Sequence, residues 1–176
     1  LMPTTKMAGM LASAIISDTV MFKSPTCTHR DVAVANRMAR IANVSLEELG
    51  KAIFSATCGD DKTISAMLGT DYKEFHIAGH DLAVSQITCM DSDRLLARKE
   101  EFFSEMTQIL QKKGLDSVVL MLTDVLLEGT YLLFVGDEEN IRNAFGIKET
   151  EENLSFLPRI MSRKKQVIPM LSALWG

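Results

Sequence analysis

The stretch Ser117-Val118-Val119-Leu120-Met121-Leu122 decides the fold class, because it is an almost unbroken run of apolar residues. Strands that are buried on both faces have such sequences, since helices cover both sides of the sheet that contains them. Thr130–Val135 is a second run of this kind, and Gly136 ends it. The region that contains these runs is therefore predicted to be α/β, with a mixed sheet and flanking helices.

The neighbouring segments complete this predicted α/β region. Asp91–Lys113 has the period of one long amphipathic helix, with its apolar residues on a single stripe. Glu74–Ile77 and Leu82–Thr88 are predicted strands, and Ala78-Gly79-His80-Asp81 between them is typical of a hairpin turn. An apolar helix is expected from Val167 to Trp175.

The first 57 residues are predicted to be mostly helical. Met7–Ile16 is rich in Ala, Met and Leu, and we expect a buried helix there. Val20-Met21-Phe22 is predicted to form a short extended piece. Ser45-x-x-Glu48 is a capping box that begins a further helix.

The segment Thr57-Cys58-Gly59-Asp60-Asp61-Lys62 is polar and rich in turn-forming residues. It is the best candidate for a boundary between domains. We therefore predict a helical part over residues 1–57, a linker over residues 58–62 and a second domain over residues 63–176.

The composition restricts the class of protein. Of the 176 residues, 47% are hydrophobic, and the formal net charge is −4. An acidic body argues against a nucleic-acid partner, and no apolar run reaches the length that crosses a membrane. Cys27, Cys58 and Cys89 are odd in number and widely spaced, so they suggest neither a disulfide framework nor a metal pair. Reduced, mostly buried thiols and a cytoplasmic location are expected.

The basic cluster Arg163-Lys164-Lys165 is the strongest functional signal, and we predict that it binds phosphate. Arg offers a planar fork that grips two phosphate oxygens, while Lys acts as a mobile point charge. Three adjacent cations repel one another unless an anion or carboxylates of the protein neutralise them. The alternative is a solvated basic patch on the surface, and the bare Arg-Lys-Lys pattern does not exclude it.

Three other positions are candidates, each with an ordinary structural alternative. Asp18 follows an apolar helix and offers carboxylate oxygens to a divalent cation, but an Asp at such a position more often serves a turn or caps a helix. Lys73 stands at the entrance to a predicted strand, where a lysine is usually surface decoration. Asp124 follows a buried strand, where it could face a ligand crevice or make structural hydrogen bonds.

Taken together, the motifs of this chain resemble those of the manganese-dependent (family II) inorganic pyrophosphatases of the DHH phosphoesterase superfamily. The resemblance covers nearly the whole chain and is specific in the runs SDT…FKSPTCT and SRKKQ. In the family's order, it is carried by Ala14–Thr19, Phe22–Thr28, Asp31–Ala33, Lys73–Phe75, Leu122–Asp124 and Ser162–Val167.

This resemblance implies a function and a set of site residues. Asp18 would be the last protein ligand of a dinuclear metal site that holds Mn²⁺ or Co²⁺, with Mg²⁺ as an activator. Arg163 and Lys164 would hold the pyrophosphate oxygens, assisted by Lys73, whereas Lys165 would make no such direct contact. Residues 63–176 would be a substrate-binding DHHA2 domain, and the linker before them would be a hinge that lets the cleft close.

The chain also departs from the family pattern, because the DHH motif and the other His and Asp metal ligands are missing ahead of Asp18. Residues 1–57 would then be the tail of a DHH catalytic domain whose remainder is a partner to this chain. The resemblance implies a homodimer for the whole protein. We expect this chain alone to be inactive. A DHH-family exopolyphosphatase and a non-catalytic phosphate-binding or regulatory module are the two alternatives.

Overall fold

A five-stranded mixed sheet forms the centre of the protein, in a computed structural model that describes residues 2–149 and 152–176. The strands lie in chain order across the sheet, and only β2 and β3 run parallel to each other. Their bounds are β1 Tyr72–Ile77, β2 His80–Cys89, β3 Ser117–Asp124, β4 Gly129–Gly136 and β5 Leu154–Pro158. The predicted α/β class with a mixed sheet is thus confirmed.

Helices precede the sheet and cover both of its faces. The bounds of the N-terminal helices are α1 Thr5–Asp18, α2 His29–Ala42 and α3 Leu46–Thr57. Those of the helices around the sheet are α4 Ile64–Thr70, α5 Ser92–Leu96, α6 Lys99–Lys113, α7 Glu138–Phe145 and α8 Ile168–Trp175. A π-helical turn over Arg163–Val167 leads directly into α8.

The core consists of two apolar layers, one on each face of the sheet. All eight residues of β3 are buried, as the apolar run predicts. On one face, Phe102 and Met106 of α6 pack with Leu120 of β3, together with residues of α4 and α5. On the other face, Ile141 of α7 and Leu171 of α8 pack against neighbouring strand residues. Helices on both sides therefore exclude water from the central strands.

The N-terminal helices join the end of the sheet through a separate apolar cluster. Ile16 of α1 and Phe54 of α3 pack with Val125, which directly follows β3, and with Met161. Alanines let α1 and α2 approach closely, since Ala8, Ala12 and Ala42 are buried in their contact. This packing leaves an open cleft between α1, α3 and one end of the sheet.

Three of the expected local structures are wrong. Helix α1 buries only one face, and Met7, Met10 and Leu11 on its other side are exposed. Residues Val20, Met21 and Phe22 are not extended, since their φ angles are 50°, 51° and 67°. The long helix predicted up to Lys113 is broken into α5 and α6, where the Arg98 guanidinium donates to the carbonyl of Lys62.

Other details bear on individual predictions. The hairpin between β1 and β2 turns at Ala78 and Gly79, which both have positive φ angles, as a two-residue turn requires. Strand β5 was not predicted, because it is short and ends at a proline.

Cys89 is buried, whereas Cys27 and Cys58 are only partly so, and burial raises the pKa of all three thiols. Every helix within the described residues is too short or too polar to cross a membrane.

Gly136 at the end of β4 provides a test of the close contact between this strand and the backbone at the start of β3. Its φ angle is 102°, and a Cβ atom there would lie 2.1 Å from the carbonyl oxygen of Asp116. We expect Gly136→Ala to lower the free energy of unfolding by about 2–5 kcal/mol, because backbone strain and overpacking add. Urea denaturation measures this change.

Gly69 in α4 is the matched control, since a Cβ atom there would meet nothing within 4 Å. Gly69→Ala should leave stability unchanged or raise it by less than about 1 kcal/mol, because Ala favours helices more than Gly does. Equal effects of the two substitutions would contradict the constraint at Gly136.

Candidate functional site

A cleft of about 700 Å³ brings together four of the residues singled out from the sequence, which are Asp18, Lys73, Arg163 and Lys164. Its walls come from the end of α1, the end of α3, the start of β1, the middle of β2 and the segment that leads into the π-helical turn. Three cations and the two carboxylates of Asp18 and Asp71 line it. The cleft therefore carries a positive excess on a chain of net charge −4.

Lys73 and Lys164 are the available cations of this cleft. Lys73 is the second residue of β1, where it pairs with Val84 of β2, and its side chain is exposed. Lys164 is exposed in the π-helical turn. Within residues 2–149 and 152–176, neither ammonium group has an ion-pair or hydrogen-bond partner. Both are thus free to neutralise an anion in the cleft.

Arg163 is held differently, because its side chain is only 8% exposed. Its Nη1 donates to the carbonyl oxygens of Asp71, at 2.7 Å, and Val84, at 3.1 Å. Its Nη2 donates to Oδ1 of Asp71 at 2.7 Å. Arg163 is therefore not a member of a solvated surface patch, and the sequence-based alternative is wrong for this residue.

Gln166 fixes the turn that carries these cations. Its Oε1 accepts hydrogen bonds from the backbone N–H groups of Met161, at 2.8 Å, and Ser162, at 3.0 Å. Its Nε2 donates to the carbonyl of Arg159 at 2.9 Å. The hydroxyl of Ser162 accepts from the N–H of Lys165 and so caps the turn. The Ser and Gln of the SRKKQ run thus have structural roles that position its cations.

Asp18 is the last residue of α1, and its carboxylate is exposed at the cleft. Among the described residues this carboxylate has no hydrogen-bond or ion-pair partner, whereas the backbone carbonyl of Asp18 accepts from the hydroxyl of Thr26 at 3.3 Å. The neighbouring Thr19 is 2% exposed, and its hydroxyl donates to the carbonyl of Ile15 and accepts from the N–H of Phe22. These two bonds support the positive φ angles of residues 20–22, where the chain leaves the end of α1.

The segment after this run connects the N-terminal part to the rest of the protein. Lys23 forms an ion pair with Glu128 of the loop before β4. The ammonium of Lys165 donates to the carbonyl of Pro25 at 3.3 Å. Lys165 is not among the residues that line the cleft. Ser24 and Thr26 do line the cleft, and their hydroxyls are 2.8 Å apart.

Asp124 has a structural role, which resolves the alternatives left open by the sequence. Its carboxylate is 2% exposed and accepts from the backbone N–H groups of Ser92, Leu126 and Leu127 at 2.9–3.0 Å. It thereby ties the start of α5 to the loop that follows β3. It does not line the cleft.

The described residues do not form a metal site by themselves. Nowhere in residues 2–149 and 152–176 do three or more His, Cys, Asp or Glu side chains form a group that could hold a metal ion. Asp71, the other carboxylate of the cleft, is paired with Arg163. The oxygens of Asp18 suit a hard divalent cation, but one carboxylate cannot hold two metal ions.

Asp71 is the cleft residue whose role the sequence did not indicate. Its partner Arg163 lies 92 positions away, so no local spacing signals the pair. The only available signal was its place two residues before Lys73.

Comparison with known proteins places the chain in a family. A family model described as the DHHA2 domain matches residues 51–174. The manganese-dependent inorganic pyrophosphatase of Methanothrix thermoacetophila is 40% identical over 172 residues, which make up 96% of this chain and 55% of that protein. The cobalt-dependent inorganic pyrophosphatase of Clostridium perfringens is also 40% identical over 172 residues, 97% of this chain and 31% of that protein.

A solved structure gives the same result. A Methanococcus jannaschii protein described as a family II inorganic pyrophosphatase superposes with a TM-score of 0.87 at 36% identity, and the match covers 99% of this chain and 57% of that one. The chain thus spans about half the length, or less, of these relatives. The predicted resemblance to the family II inorganic pyrophosphatases is confirmed, and the chain belongs to the family of proteins that carry a DHHA2 domain.

Proposed function

We propose that this chain is the C-terminal part of an enzyme that hydrolyses inorganic pyrophosphate to two phosphates. In this proposal, Lys73, Arg163 and Lys164 form the substrate clamp, and Asp18 contributes one ligand to a dinuclear metal site. The observation that carries the proposal is that one cleft holds all four residues, although they come from distant parts of the sequence.

The charges in the cleft suit a small, highly charged anion. Lys73 and Lys164 are exposed and have no partner within the described parts of the chain. Pyrophosphate would therefore displace only water from their ammonium groups and would break no ion pair of the protein. Arg163 is buried and its N–H donors have a fixed orientation, so it would orient the phosphate as well as attract it. The names of the relatives favour pyrophosphate over longer polyphosphates as the substrate.

The metal chemistry depends on residues that this chain does not supply. The relatives named above are described as manganese-dependent and cobalt-dependent, and oxygen ligands such as Asp18 suit Mn²⁺. We propose that the part of the protein ahead of Asp18 provides the remaining ligands. This chain then binds and orients the substrate and neutralises the charge that develops on the leaving phosphate.

We also propose the domain division 1–57, 58–62 and 63–176, with the linker as a hinge. Two features support it. Helix α3 ends at Thr57, and Asp60 and Asp61 of the following turn are exposed, although Arg94 pairs with Asp60 and Arg98 donates to the carbonyl of Lys62. Relative motion across this turn would change the distance from Asp18 to Lys73 and Arg163, and so would open or close the cleft.

The clamp can be tested by titrating the chain with imidodiphosphate, a pyrophosphate analogue that resists hydrolysis. Lys73→Ala and Lys164→Ala should each weaken binding by about 10- to 100-fold, because each removes a charged hydrogen bond worth about 1.5–3 kcal/mol. Isothermal titration calorimetry at low ionic strength measures the dissociation constants.

Lys112→Ala is the matched control, since Lys112 is an exposed lysine of α6 that does not line the cleft. It should leave the dissociation constant unchanged. A loss of affinity as large as that of Lys73→Ala would show that binding depends on overall charge and would contradict the clamp.

Because the proposed metal ligands and substrate clamp lie in different parts of the protein, we expect different activities for this chain and for the full-length enzyme. This chain alone should show no Mn²⁺-dependent pyrophosphate hydrolysis, whereas the full-length enzyme should be active. In the full-length enzyme, Arg163→Ala should lower kcat/KM by about 10²- to 10³-fold, the loss typical of one donor to a developing anion. Phosphate release measures both. Turnover by the isolated chain, or an unchanged kcat/KM, would refute this division.

A further inference from the structure

Asp71 holds the guanidinium of Arg163 with two different oxygens. Its carbonyl accepts from Nη1 and its carboxylate Oδ1 accepts from Nη2, both at 2.7 Å. The same carbonyl also accepts from the backbone N–H of Gln86, at 3.1 Å, so β2 holds it in place. Asp71 therefore grips the Nη1–Nη2 edge of Arg163 from a fixed position.

These bonds determine which donors of Arg163 remain for a ligand. A guanidinium has five N–H groups. Both hydrogens of Nη1 are engaged, by Asp71 and by the Val84 carbonyl, and one hydrogen of Nη2 is engaged by the Asp71 carboxylate. The groups left are Nε–H and the second Nη2–H, which share one edge. Such an edge matches two oxygens of a phosphate group.

We propose that Asp71 is a positioning residue, which holds Arg163 so that its Nε–Nη2 edge grips two oxygens of one phosphate group of the substrate. This inference rests on the proposed function. Asp71 lines the same cleft, and its side chain is 46% exposed while that of Arg163 is 8% exposed. The carboxylate thus holds the guanidinium from the side of the cleft, and the side chain of Asp71 itself remains open to solvent.

The opposite role would be competition, in which the Asp71 carboxylate occupies donors that the phosphate needs. The two roles predict opposite signs. If Asp71 positions Arg163, Asp71→Ala weakens binding; if Asp71 competes, the same substitution strengthens it. The backbone carbonyls of Asp71 and Val84 still hold Nη1 in this variant, so Arg163 keeps its place while its plane is free to turn.

The experiment is calorimetric titration of the chain with imidodiphosphate. Asp71→Ala should weaken binding by about five- to tenfold, since the ligand itself must then immobilise the guanidinium of Arg163. Asp71→Asn keeps an acceptor for Nη2 and should restore affinity to within about twofold of the original. Tighter binding by both variants, or no change in Asp71→Ala, would overturn the proposal.

A double-mutant cycle separates positioning from a general effect on the cleft. In an Arg163→Ala background, Asp71→Ala should change affinity by less than about twofold, because the residue through which it acts is gone. In a Lys73→Ala background its full effect should persist. An undiminished effect without Arg163 would show that Asp71 acts by another route and would overturn the proposal.

Nuclear magnetic resonance detects directly whether the Nε–Nη2 edge of Arg163 contacts the ligand. The Nε–H signal of Arg163, assigned by its absence in Arg163→Lys, should shift downfield when imidodiphosphate saturates the chain. An unmoved signal at saturation would refute the gripping edge. If the unsubstituted chain does not bind imidodiphosphate, or if Lys73→Ala binds it equally well, the proposed function itself is wrong.

If Lys73→Ala weakens binding as expected while Asp71→Ala has no effect, only the role of Asp71 is wrong.

Discussion

Strand β3 is buried along its entire length, and this constraint places the other elements of the protein. An apolar strand of this kind needs a helical layer on each face, which α4–α6 and α7–α8 provide. Just beyond its end, Val125 packs with Ile16 and Phe54, so the N-terminal helices are attached where the strand stops. The cleft lies beside this attachment, because its walls belong both to these helices and to the neighbouring strands.

The buried charge of Arg163 imposes a second constraint. A guanidinium loses its hydration on burial, and this costs free energy unless its donors are paired. Asp71 and the Val84 carbonyl supply that pairing. The cleft therefore contains one fixed cation and two mobile ones, Lys73 and Lys164. A fixed cation gives direction to a bound phosphate, and mobile cations adjust to its charge.

The fold and the members of the cleft could be predicted where the signal is local. The apolar run of β3, the hairpin at Ala78-Gly79 and the basic cluster each occupy consecutive residues. The resemblance to a family then grouped Asp18 with Lys73 and Arg163. What could not be predicted depends on contacts between distant residues. The left-handed run after Thr19 needs its hydroxyl bonds, the break before α6 needs Lys62, and the Asp71–Arg163 pair spans 92 positions.

The arrangement of charges in the cleft indicates what kind of ligand it can accept. Asp18 and the two lysines line one space, yet in the described parts of the chain none of them forms an ion pair. A phosphate anion alone would neutralise the lysines but would meet a like charge at Asp18. A divalent cation bound together with the phosphate would remove this repulsion, since it attracts both the phosphate and the carboxylate. The cleft can therefore hold a phosphate through its cations, and a metal-bound phosphate would fit it better, because the metal ion would also neutralise the free carboxylate of Asp18.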